Sequence, residues 1–372
     1  MKSNIYLRIL STILFMALIL SCFVIVSCSD GSRGLEYRVN SDGKTCTVTG
    51  LGTYSSKYLI IPNNIDGYKV TEIAEYAFQG TDIETFSGAD SITTIGKYAF
   101  QNCKQLRTVV IPNSVTEIGE HCFEYCESLH TVDLSSNLKT INSHTFAECK
   151  SIEMIQLPEG IVIIDEKAFY FCELLKSINI PNTAREIGKM AFWSCQSLQS
   201  ITIPDSVTTI GGSAFGVCYS LTEFYIPTSV IDIGVSPLFA NELVEIKVDE
   251  NHSFLSSING DLYYKNNTVF VNYACGKLDT SLIIPTGVRE ICALSLGGAL
   301  NLTTIYIPST IKSIGSGIFH ASPNIEVLYY DSTVEDWKKI LKAPDWNENT
   351  ESVFTIVCAD GTIAMDGTVT YN

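Results

Sequence analysis

Phenylalanine recurs every 23 residues, at Phe100, Phe123, Phe146, Phe169, Phe192 and Phe215, and three residues after each stands a cysteine: Cys103, Cys126, Cys149, Cys172, Cys195 and Cys218. A fixed period of this length prescribes one coil per repeat, stacked so that equivalent side chains fall into rows. The unit reads Leu-x-x-Ile-x-Ile-Pro, then Val-x-x-Ile-Gly, then Ala-Phe-x-x-Cys, as in residues 198–204, 207–211 and 214–218. Pro158, Pro181, Pro204 and Pro227 keep the same step, Pro112 stands two steps before the first of them, and Pro285 and Pro308 repeat the step further on.

Each unit has local chemistry that predicts its path. Ile201 and Ile203 alternate with Ser200 and Thr202, which makes a short strand with two branched side chains inward. Pro204 lacks an N–H and ends the ladder. One strand per coil then builds a parallel sheet. The slot after the second Ile holds Gly96, Gly119, Asn142, Asp165, Gly188, Gly211, Gly234 and Gly315, and this choice predicts a left-handed corner there. Ala74 and Cys292 break that pattern. Ala-Phe-x-x-Cys is long enough for one helical turn, whose Phe plugs the coil.

Other segments frame the repeats. Residues 9–26 are apolar apart from Ser11, Thr12, Ser21 and Cys22, and follow Lys2 and Arg8, as in a secretion signal. The ending Ile25-Val26-Ser27-Cys28 resembles the lipobox of bacterial lipoproteins, which implies lipidation of Cys28. Ile19-Leu20-Ser21-Cys22 is a second possible box, and an uncleaved membrane anchor is the alternative. The expected organisation is 1–28 signal and lipobox, 29–34 tether, 35–61 N-terminal β cap, 62–240 repeats, 241–282 hairpin insertion, 283–331 repeats and 332–372 C-terminal cap. In the insertion, residues 257–264 and 268–273 read as a hairpin turning at Lys265-Asn266-Asn267; in the last segment Ser332 reads as a helix cap and Asp360-Gly361 as a hairpin turn.

The Ile-Pro, Ile-Gly, Ala-Phe and Cys motifs in one register resemble the BspA-like leucine-rich repeat proteins. That resemblance implies a right-handed α/β solenoid on the cell surface that binds other proteins, often in adhesion to host matrix proteins or other cells, without a cofactor. A surface glycan-binding protein and a structural envelope protein are the rival readings.

Composition removes other classes. Lys plus Arg total 24 against 40 Asp plus Glu, for a net charge of −16, and such a surface repels nucleic acid and anionic headgroups. No Gly-x-Ser-x-Gly, His-Glu-x-x-His or phosphate-cradling loop is present, so no enzyme is expected. Parallel projection keeps the Cβ atoms of the cysteine row too far apart for disulfides, so the row reads as small buried hydrophobes. A disulfide among Cys46, Cys275, Cys292 and Cys358 stays open. Cys122 and Cys126 with His121 and His130 have zinc-like spacing, but both thiols occupy core slots. His121 and His144 share a slot on successive coils, where stacking is expected. Asp249-Glu250-Asn251 with Asp261 lack the spacing of a calcium loop.

A ligand is expected on the outward side chains of the strands. One column runs Val110, Asp133, Gln156, Asn179, Thr202, Tyr225 and then Tyr306 and Tyr329; its neighbour runs Thr108, Thr131, Met154, Ser177, Ser200, Glu223 and Thr304. Tyrosine gathers at the C-terminal end, where a rigid ring buries area while its hydroxyl keeps a hydrogen bond. A separate column, Lys104, Glu127, Lys150 and Glu173, alternates in charge and reads as register and solubility.

Overall fold

The computed structural model describes residues 34–239, 242–348 and 352–372; Cys22, Cys28 and the signal segment lie outside the described residues. Within them the chain winds as a solenoid whose repeats pair in register. Thr108–Val110 pairs in parallel with Thr131–Asp133, and the two-residue strands Ile163–Ile164, Glu186–Ile187 and Thr209–Ile210 pair successively in parallel. Each coil therefore carries a second, shorter strand beside the one read from the Ile-x-Ile-Pro motif.

The Phe row forms as expected. From Phe100 to Phe215 successive rings stack with centroids 5.2, 5.5, 5.5, 5.4 and 5.3 Å apart, all fully buried. The segment that holds them is a hydrogen-bonded turn, where a helical turn was expected. Cys103 N–H donates to the Phe100 carbonyl within the coil, while Tyr98, Phe100 and Asn102 N–H donate to Glu120, Cys122 and Glu124 carbonyls of the next. Half of the donors face the neighbouring coil, and a helix would turn them all inward on itself.

That arrangement also moves the left-handed corner. None of the glycines in the Ile-Gly slot has positive φ; the left-handed residues lie two positions later, at Tyr98, His121, His144, Lys167 and Met190, and again at Asn102, Tyr125, Glu148 and Phe171. Strain at these non-glycine residues aims their N–H groups at the next coil. The glycines serve close approach. A Cβ on Gly96 or Gly188 would stand 2.5 Å from the backbone nitrogen of Glu75 or Glu166. Asn142 and Asp165 fill the slot by bonding backbone instead, to the Ile118 carbonyl at 2.6 Å and from the Glu166 N–H at 2.6 Å.

The ends and the insertion are sheet. Glu36–Val39 pairs antiparallel with Thr45–Gly50, which then pairs in parallel with Tyr68–Ile73. Tyr58–Ile60 already pairs with Thr85–Ser87, so the motif strands begin inside the segment read as a cap. Residues 257–264 do not form one strand, because Asn259 and Gly260, both at positive φ, fold Leu255–Ile258 back on Asp261–Tyr264. Asn-Gly is the pair that a tight primed turn favours. Asp261–Tyr264 then pairs with Val269–Asn272, and a three-stranded unit results. The helix Val334–Lys339 is capped by Thr333, not Ser332, whose hydroxyl bonds Asp336 at 2.7 Å. Thr355–Cys358, Gly361–Ala364 and Val369–Tyr371 close the C-terminal end. No helix among the described residues is long and apolar enough to cross a membrane.

Candidate binding surface

Strand alternation decides which side chains reach solvent. Val109, Ile155, Ile178, Phe224, Ile305 and Leu328 point into the core. Their neighbours Thr108, Val110, Thr131, Asp133, Met154, Gln156, Asn179, Thr202, Glu223, Tyr225, Tyr306 and Tyr329 are exposed or half-buried on the outer side. The pairings Thr108 with Thr131, Val110 with Asp133, Met154 with Ser177 and Tyr306 with Tyr329 confirm the columns locally.

The columns do not run unbroken. Strand pairing is absent between Asp133 and Gln156 and on both sides of Ser200–Ile203, and the insertion separates Tyr225 from Tyr306. Tyr225 pairs with Lys247, and its hydroxyl donates to Asp249 at 2.6 Å, which holds that carboxyl below its usual value. Tyr306 and Tyr329 instead stack on each other, 5.1 Å between centroids and 12° from parallel. Ile283, 69% exposed, pairs with Tyr306 and extends this row. Two members at the other end also escaped the motif: Tyr58 and Ile60, 61% and 56% exposed, head the two columns. Residues 58–62 and 281–285 do carry the Ile-Pro ending that marks a repeat.

Asn179 has a structural task. Its carboxamide oxygen accepts from the Leu157 N–H at 2.8 Å, and its nitrogen donates to the Leu157 carbonyl at 2.9 Å. In the coils nearer the N-terminus a backbone bond does the first of these, as Ile111 N–H to the Asp133 carbonyl shows.

Away from the strands, His121 and His144 stack at 4.4 Å, and the stack continues through Tyr98 to Tyr76. The His121 Nδ1 lies 2.9 Å from Glu124, and the His144 Nδ1 lies 2.8 Å from Ser143. Burial followed by the His121 charge lowers the His144 pKa. No group of three or more His, Cys, Asp or Glu gathers for a metal among the described residues. Asp261 is drawn away from Asp249 into a buried ion pair with Lys277 at 2.6 Å. No disulfide forms among the described cysteines, including Cys46, Cys292 and Cys358. The charge column holds: Lys104 meets Glu127 at 3.1 Å and Lys150 meets Glu173 at 3.7 Å.

The comparisons with known proteins agree with this geometry. A family model described as the BspA type leucine rich repeat region matches residues 71–176, 140–269 and 266–340, in six copies. The chain belongs to the BspA-type leucine-rich repeat family. Among solved structures, this BspA-type chain is similar to a leucine rich cell surface protein from Faecalibacterium prausnitzii, at 22% identity over 84% of this chain and 97% of that one, with a TM-score of 0.54. A leucine-rich repeat protein from Bacteroides ovatus is 20% identical over 88% of this chain and 99% of its own, with a TM-score of 0.44. No curated protein matches it in sequence. At this identity the likeness speaks for the fold alone.

Proposed function

We propose that this BspA-type chain is a bacterial cell-surface lipoprotein, anchored through Cys28, that binds a protein of the host matrix or of another cell through the outer face of its motif strands. The observation that carries this reading is the row Ile283, Tyr306 and Tyr329, three large side chains exposed on adjoining coils of a sheet that could have been polar there. Exposed apolar rows of this kind mark interaction sites, and tyrosine is enriched where binding energy concentrates. The family resemblance and the secretion signal at the N-terminus support a surface location.

The ring geometry favours protein over glycan. Tyr306 and Tyr329 each cover one face of the other, and the Tyr225 hydroxyl is already engaged. A sugar stacks on a free ring face, whereas a protein side chain packs equally well against ring edges and Ile283.

The test is capture from host extracellular matrix and from partner-cell lysate with the full chain and with Tyr306→Ala/Tyr329→Ala. The expected result is a protein retained by the first and lost, at least tenfold, by the second. Equal retention by both, or binding to a glycan array and to no protein, would overturn the reading.

A further inference from the structure

The middle of the motif-strand face holds a cleft of about 310 Å³ between two coils, lined by Ser177, Asn179, Ile180, Ser200 and Thr202 among others. Its cause is a missing run of ladder bonds. By the pattern of Ile111, the Ile180 N–H should donate to the Thr202 carbonyl and the Ile203 N–H to the Tyr225 carbonyl. Neither bond forms, and among the described residues the Ile180 N–H and carbonyl find no partner. Backbone on a buried residue ordinarily has one. The coils stay joined on either side, through Gln199 N–H to the Lys176 carbonyl at 3.2 Å and Thr208 N–H to the Arg185 carbonyl at 2.8 Å. The opening is thus local and has a floor.

The chain shows what fits such an opening. One coil earlier, the equivalent N–H and carbonyl of Leu157 are both taken by the Asn179 carboxamide. In the other sheet, the Asn142 carboxamide replaces a ladder bond at the Ile118 carbonyl. Register places Thr202 where a third such carboxamide would serve Ile180, and its side chain is too short and has one donor. All residues lining the cleft are uncharged, which suits a neutral group that donates and accepts side by side.

We propose that this cleft is a receptor for a primary carboxamide, the side chain of an asparagine or glutamine on a partner protein. The proposal rests on the reading of the strand face as the binding surface and names one chemical feature that it recognises.

Two short peptides test it, Ac-Gly-Gln-Gly and Ac-Gly-Glu-Gly, both with free C-terminal carboxylates, titrated into the 15N-labelled full chain. The Gln peptide is expected to shift the amide resonance of Ile180, and the Glu peptide to leave it in place. Thr202→Asn supplies the carboxamide from within; it should melt no lower than the wild type and bind the Gln peptide at least tenfold more weakly. Asn179→Ala should open a second receptor and add Leu157 to the shifted resonances. Equal shifts from both peptides, no shift from either, or wild-type affinity in folded Thr202→Asn would each overturn the proposal. A captured partner held equally by wild type and Thr202→Asn, yet lost with the tyrosines, would overturn it while leaving the strand face as the binding surface.

Discussion

At the scale of single residues, the cysteine row does more than fill space. Each thiol donates to the carbonyl of the Phe one coil back, as in Cys126 to Phe100 at 3.2 Å, Cys149 to Phe123 at 3.1 Å and Cys172 to Phe146 at 3.2 Å. Where the slot changes to Ser322, the donor remains and bonds the Leu296 carbonyl one coil back, while Thr81 bonds the Phe78 carbonyl of its own coil. The slot therefore selects a small donor. Cys149→Ala is expected to lose about 1 kcal/mol in urea unfolding, because the Phe123 carbonyl then keeps only its bond from the Cys126 N–H, and Cys149→Ser to lose clearly less. Equal losses would remove the hydrogen bond from the explanation. Burial also pushes these thiols well above their ordinary 9.0, so iodoacetamide at pH 8 should label Cys126, Cys149 and Cys195 only after unfolding. Asp261 presents the opposite problem, a charge buried at its ordinary pH. Desolvation, partly offset by Lys277, lifts its carboxyl from 3.8 to about 6. A raised acid favours folding fully below its unfolded value and loses that contribution as pH rises through about 6. Lys277→Met should therefore cost about 3–5 kcal/mol at pH 7, where it strands a carboxylate, and markedly less at pH 5, where the proton is already bound. A penalty independent of pH would refute the pairing.

At the scale of the element, the repeat was legible where one residue type serves one purpose. The Phe and Cys rows were readable because identity itself recurs, and the columns because alternation fixes a strand face. The left-handed corner was hidden, since Tyr98, His121, Lys167 and Met190 share no chemistry that advertises positive φ. The glycine beside it drew the inference because it tolerates that conformation, while its actual reason lies in the neighbouring coil. A reciprocal exchange separates the two. Gly188→Ala should destabilise by about 1–3 kcal/mol, because its new Cβ meets the Glu166 backbone, whereas Met190→Gly should be neutral or gain up to about 1 kcal/mol as strain is released. The reverse order in thermal melts would restore the corner to the glycine. The open ladder at Ser200–Ile203 was equally hidden, since its Ser-Ile-Thr-Ile-Pro alternation matches the paired coils. Pairing depends on the separation between coils, and a strand's own pattern carries no record of its neighbour's distance. For the candidate surface this means that its members were readable one by one, while its division into a polar cleft and an aromatic row was not.

At the scale of the whole molecule, the insertion is a partition. One buried cluster runs from Leu35 to Ala274 and a second from Tyr263 to Ile363. The three-stranded unit stands between them with its faces divided. Leu262 and Val271 join the first cluster, and Tyr263 and Phe270 join the second. Successive residues of a strand point to opposite faces, so this wall gives each core half of its side chains without mixing them. A solenoid of nearest-neighbour contacts loses cooperativity where such contacts thin out, so the two cores are expected to melt separately. Scanning calorimetry of the full chain should resolve two transitions. Phe146→Ala should destabilise the first core by about 3–5 kcal/mol and leave the other transition in place, and Phe319→Ala should do the reverse. A single transition that both variants shift alike would show that the wall couples the cores. The aromatic row at Ile283, Tyr306 and Tyr329 would then share its stability with the cleft at Ile180 instead of resting on a core of its own.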